Sequence, residues 1–125
     1  MPDHVHNKIL AVLDDLFFTV KINQAAKRAG LPVEFVKSAE DALDKARAHP
    51  PIIILDLNCT SLDPLMLIAD LKSDAELKEI PLIGYVSHVQ AELIRKAREA
   101  GCDTVLARSA FSKNLAQILK RGTGD

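Results

Sequence analysis

The sequence has no tryptophan, a single tyrosine and four phenylalanines. So few rings argue against a stacking platform for nucleic-acid bases. There are only two cysteines, Cys59 and Cys102, far apart and outside any CxxC spacing. That argues against a structural metal site and fits a reducing compartment, so a cytoplasmic location is expected. No apolar run approaches the roughly 18 residues needed to cross a bilayer, and the polar start MPDHVHNK carries no export signal. Glycine is scarce as well. The turn after the first apolar run reads DDLFF, neither GxGxxG nor GxxxxGK[ST], so no glycine-rich backbone is available to cradle a nucleotide phosphate, and two carboxylates would repel one. Neither sign of charge dominates: 16 Lys plus Arg stand against 17 Asp plus Glu, a net of −1. Bulk attraction to nucleic acid or to a membrane surface is therefore not expected, although residues 86–125 are mildly basic and the rest mildly acidic.

What remains is an ordinary globular composition: 125 residues, 48% apolar and 26% charged, the size of one domain. We expect that domain over 8–121, with a mobile tail at 1–7 and a short one at 122–125. KILAVL (8–13) is an unbroken apolar run, as a strand buried on both faces requires. Helical spacing follows from Leu16 to Ala29, closed by Gly30. VEFV (33–36) is a short strand. Ser38 to Asp41 is a capping signal for a helix through about Ala48, and Pro50-Pro51 ends it. PIIILDL supplies the most apolar strand, Ile52 to Leu55, ending on Asp56. Asp63-Pro64 reads as an N-cap and first helical residue. LIGYV (82–86) is a fourth strand, Ser87 to Gln90 a second capping box, and the following helix runs to Gly101. TVLA (104–107) is a fifth strand, and FSKNLAQILKR a last amphipathic helix.

Five β-α units in succession imply a parallel sheet covered on both sides, with right-handed crossovers. Chemistry in such folds gathers outside the carboxyl ends of the central strands. In a flavodoxin-like (βα)5 order of 2-1-3-4-5 the first and third strands are neighbours, so Asp14 and Asp15 would converge on Asp56. Alone, Asp14 or Asp15 could simply cap the first helix. Together with Asp56 they suggest a shared acidic pocket, where like charges raise a pKa unless a cation intervenes. Mg²⁺, which takes one or two carboxylates plus carbonyls and waters, suits it, and a carboxylate beside such an ion is equipped to accept a phosphoryl group.

In LAVLDD, IIILDLN, IPLIGYVSH and EAGCDTVLAR, in this order and spacing, the chain resembles the response-regulator receiver domain from Lys8 to Leu119. The resemblance implies that Asp56 is the phospho-accepting aspartate, that Asp14 and Asp15 are the family's acidic pair, and that the Asn58 carbonyl helps them hold Mg²⁺. It implies a histidine kinase or phosphotransfer protein as phosphodonor, and a downstream protein met by the face of the fourth helix, fifth strand and fifth helix. Such a domain phosphorylates itself and turns over no external substrate. The sequence also departs from the family. Val86 occupies the position of its Thr or Ser, with Ser87 one place later as a substitute or merely a helix cap. Arg108 replaces its Lys as the phosphoryl contact, Ser109 its Pro, and Val105 its aromatic switch residue. Thr60 and Pro64 replace a Pro and a Gly in the loop after Asp56. These changes motivate an alternative: a pseudo-receiver that works as an interaction module without phosphorylation, presenting Arg95, Arg98 and Lys113 to a partner. His4, His6 and His88 read as solvated, and Cys102 as a small apolar filler.

Overall fold

In the computed structural model, which describes residues 8–87 and 90–122, five short strands form one parallel sheet in the order β2-β1-β3-β4-β5. The strands are β1 (Ile9–Val12), β2 (Val33–Val36), β3 (Ile53–Asp56), β4 (Leu82–Val86) and β5 (Thr104–Ala107). Six helices connect and follow them: α1 (Leu16–Ala29), α2 (Ala39–Ala46), α3 (Pro64–Ser73), α4 (Ala91–Ala100), α5 (Arg108–Lys113) and α6 (Leu115–Gly122). The expected strand order is therefore present, and β1 and β3 are neighbours, with Val12 aligned to Leu55. The expected tail at 1–7, the histidines His4, His6 and His88, and residues 123–125 lie outside the described residues.

Alternation along each strand divides the core into two clusters, one on each face of the sheet. One face packs Leu10, Val12, Ile53, Leu55, Leu67, Ile68, Val86 and Val105 into a wholly aliphatic layer beneath α2, α3 and α4. The other packs Ile9, Ala11, Ile54 and Tyr85 against Phe18 and Ile22 of α1, Phe111 of α5 and Leu119 of α6. Helix ends follow the local chemistry the sequence announces. Asp15, Ser38 and Asp63 each accept a backbone N–H three residues on, and Gly30 closes α1 in the left-handed region at φ 72°.

Two local expectations fail. Ser87 does not cap α4: the helix starts at Ala91, its N-cap is Gln90, and no side chain caps it. Asn58 explains this, because its side-chain oxygen takes the Ser87 N–H (2.7 Å) and its amide reaches Gln90 (2.9 Å), fastening the segment before α4 to the loop after β3. Nor is the last helix a single piece beginning at Phe111. A helix starts directly at Arg108 and is interrupted at Asn114, at φ −105° and ψ 15°, where the side-chain amide donates to the Ala110 carbonyl (2.9 Å) alongside the residue's own backbone N–H (3.1 Å).

Candidate functional site

Asp56 ends β3 at the centre of the sheet and is 6% exposed, the one charged side chain among the described residues that is buried. Its Oδ1 accepts the Asn58 N–H at 2.8 Å, a tight turn, and Oδ2 has no hydrogen bond among the described residues. Burial pushes its pKa above the ordinary carboxylate value. The Asn58 N–H opposes the rise, Asp14 and Asp15 add to it, and Arg108 offsets part of it. Asp14 and Asp15, leaving β1 next door, are thus electrostatic neighbours of Asp56, as the strand order requires.

The two acids have different surroundings. Asp15 is half-buried: one oxygen caps α1 through the Phe18 N–H (3.2 Å), and the other meets the Arg108 guanidinium at 2.7 Å. Asp14 is exposed and accepts the Thr60 hydroxyl at 3.2 Å. Arg108 therefore contacts Asp15 and lies over the Phe18 ring, 4.6 Å from its centroid, feeling Asp56 through charge. The hydroxyl of Ser87 makes no hydrogen bond among the described residues, and the residue is exposed beside the Asn58 bridge. Among the described residues no group of three or more His, Cys, Asp or Glu is assembled to hold a metal.

Val86 and Val105 are buried in the aliphatic layer, so neither brings a hydroxyl or a ring to the pocket. On the opposite face lies what sequence reasoning missed. Tyr85 is 1% exposed, stacked on Phe111 (4.9 Å between centroids, 16° between planes) and tilted against Phe18 (4.8 Å). Its one signal in the sequence was being the sole tyrosine, placed in a strand otherwise apolar. Thr60 was noted only as a departure; nothing in its neighbours announced a bond to Asp14. Cys102 matches its expected role, since burial pushes its thiol up to about 11 and leaves it unreactive. Arg95 is spoken for by Glu92 and Glu99 on its own helix.

No family model matches the chain. The polar-differentiation response regulator DivK of Brucella ovis is 24% identical over 120 residues, spanning 94% of this chain and 98% of its own length. The DivK of Brucella anthropi is 23% identical over the same length. Among solved structures, the phosphorylated cyanobacterial phytochrome response regulator RcpA superposes with a TM-score of 0.75 at 26% identity, covering 93% of this chain and 90% of that one. The chemotaxis response regulator CheY4 of Vibrio cholerae superposes with a TM-score of 0.79 at 22% identity, over 92% and 97%. The sheet order, the buried aspartate ending β3 with its acidic neighbours, and relatives matched nearly end to end agree in supporting a response-regulator receiver domain, to which this chain is similar at low identity.

Proposed function

We propose that Asp56 is the phosphoryl acceptor through which this receiver domain signals. The observation that carries the reading is the burial of a carboxylate at the end of β3, with one oxygen fixed by the Asn58 N–H and the other uncommitted, beside two further acids and a guanidinium. An Asp56 oxygen attacks the phosphorus of the donor. The new P–O bond forms as the bond to the leaving atom breaks, and the donor departs with that electron pair, as acetate from acetyl phosphate or as imidazole from a phosphohistidine. A histidine kinase or phosphotransfer protein is the corresponding macromolecular donor. Leu16 and Phe17, 78% and 70% exposed directly after Asp15, give such a donor an apolar foothold beside the pocket. The α4, β5 and α5 face is the proposed contact for the downstream protein.

The donor set fits Mg²⁺: the oxygens of Asp14, Asp15, Asp56 and the Asn58 carbonyl are hard ligands, and like charges that raise the Asp56 pKa are what a cation relieves. Such an ion, when bound, supplies charge neutralisation at the phosphoryl oxygens. Arg108, released from Asp15, has a planar fork suited to the same oxygens, and the Ser87 hydroxyl is the nearest substitute for the hydroxyl that Val86 lacks. Mass measurement of the intact protein after incubation with Mg²⁺ and acetyl phosphate tests the reading. A gain of one phosphate in the wild type and none in Asp56→Asn is expected; no gain in the wild type from acetyl phosphate or a cognate kinase sinks it.

A further inference from the structure

The Tyr85 hydroxyl is buried without a hydrogen-bond partner, the one side-chain nitrogen or oxygen among the described residues in that condition. Tyrosine hydroxyls usually find a partner when buried, because an unpaired one forfeits its hydration for nothing. Packing does not account for it: phenylalanine would fill the space between Phe18 and Phe111 equally well. The position is informative. Tyr85 on β4 is aligned in register with Asp56 on β3, and aligned residues of neighbouring strands project from the same face. Both leave the sheet on the side of α1 and α5. Beyond burial itself, the groups that act on the hydroxyl are Asp56 first, then Arg108 and Asp15 of the acidic pocket, and last Cys59. The ring has little freedom, being 1% exposed and held by two aromatic neighbours, one of which carries Arg108 on its face. It is an immobilised donor on the strand beside Asp56 and on the same face of the sheet.

We propose that Tyr85 is a phosphoryl-binding residue: its hydroxyl donates a hydrogen bond to an oxygen of the phosphoryl group on Asp56. It thereby supplies, from the aromatic face, the donor that Val86 does not supply from the aliphatic one. The proposal rests on the reading of Asp56 as acceptor. The donor is satisfied only when the pocket is loaded, so the bond counts fully toward the phosphorylated state and not toward the unloaded one. A water molecule is the competing partner, and it makes a different prediction, because replacing it leaves phosphoryl chemistry unchanged.

Tyr85→Phe removes the oxygen and keeps the ring. We expect this variant to melt at or above the wild-type temperature, yet to form the acyl phosphate with Mg²⁺ and acetyl phosphate about tenfold more slowly, or to lose it about tenfold faster. That is the effect of one hydrogen bond to a charged group. Wild-type and Tyr85→Phe proteins that take up and lose phosphate alike overturn the proposal and leave Asp56 standing. A wild type that takes up no phosphate overturns both. A second readout needs no mutation of the tyrosine. With one tyrosine and no tryptophan in the chain, near-ultraviolet absorption reports Tyr85 alone. Beryllofluoride with Mg²⁺, as a phosphoryl mimic, should move that band to longer wavelength in the wild type and not in Asp56→Asn. A band that stays in place counts against the hydrogen bond.

Discussion

The two faces of the sheet do different work. Beneath α2, α3 and α4 the core is aliphatic, with Val105 inside β5 at 6% exposure and Val86 at the carboxyl end of β4 at 0%. Beneath α1, α5 and α6 three rings stand in mutual contact, with a guanidinium over one and a hydroxyl at the end of another. The family resemblance leads one to look for a polar relay on the first face, and this chain has apolar side chains there. Polarity and aromatic contact reach the acidic pocket from the second. A receiver fold thus separates two things that the family pattern joins: the acidic pocket, which depends on strand order, and the route by which its state meets a helix, which depends on which face carries the polar groups.

That contrast can be broken by mutation. Phe111→Ala should cost about 3–5 kcal/mol, since it empties the centre of the aromatic cluster, whereas Val105→Ala should cost about 2 kcal/mol. Urea denaturation of both variants measures the difference, and equal losses would mean that the rings pack no better than the aliphatic layer. Val86→Thr comes next. It is nearly isosteric but places a hydroxyl at a fully buried site, for an expected loss of about 1–3 kcal/mol in the unloaded protein. A variant as stable as wild type would show that the aliphatic face already offers a polar partner at the pocket.

Asp56→Asn tests the ground between the faces. A raised folded-state pKa means that the folded protein holds this proton more tightly than the unfolded chain. The associated stability is full below the ordinary carboxylate value of about 3.9 and is lost as pH rises through the folded-state value. At pH 7 the ionised carboxylate therefore opposes folding. The Asn variant should melt higher than wild type at that pH, by a margin that narrows as pH falls toward 4. A margin that widens on acidification would reverse the assigned sign. The smallest effect belongs to Ser87→Ala, expected within about 0.5 kcal/mol because its hydroxyl caps nothing. A loss near 1 kcal/mol in thermal melts would restore it as a helix cap.

Much of this was legible in the residue order. Unbroken apolar runs ending in Asp14-Asp15 and Asp56, separated by helical spacing with caps at Ser38 and Asp63, led to a parallel sheet in the order found. Strand order then brings acids far apart in sequence into electrostatic range, with no need for side-chain detail. What stayed hidden was competition for hydrogen bonds. Ser87 to Gln90 has the letters of a capping box, yet Asn58, twenty-nine residues earlier, takes the Ser87 N–H that the loop offers. FSKNLAQILKR has the spacing of one helix, yet the backbone leaves helical geometry at Asn114, where the side-chain amide also turns back on Ala110. Arg108 and Thr60 could be assigned to the pocket's neighbourhood, but not to Asp15 and Asp14 individually, because that choice is made by side-chain reach after the backbone is in place.

The ion pair between Arg108 and Asp15 spans 93 residues. In synthesis order Asp14, Asp15 and Asp56 all precede Arg108, the cation that meets them. Long-range closure of this kind comes late, after the local helices and hairpin-free βα units have formed. The pocket is therefore dated by its own charge balance: it reaches its final electrostatic state only when the fifth strand has joined the edge of the sheet.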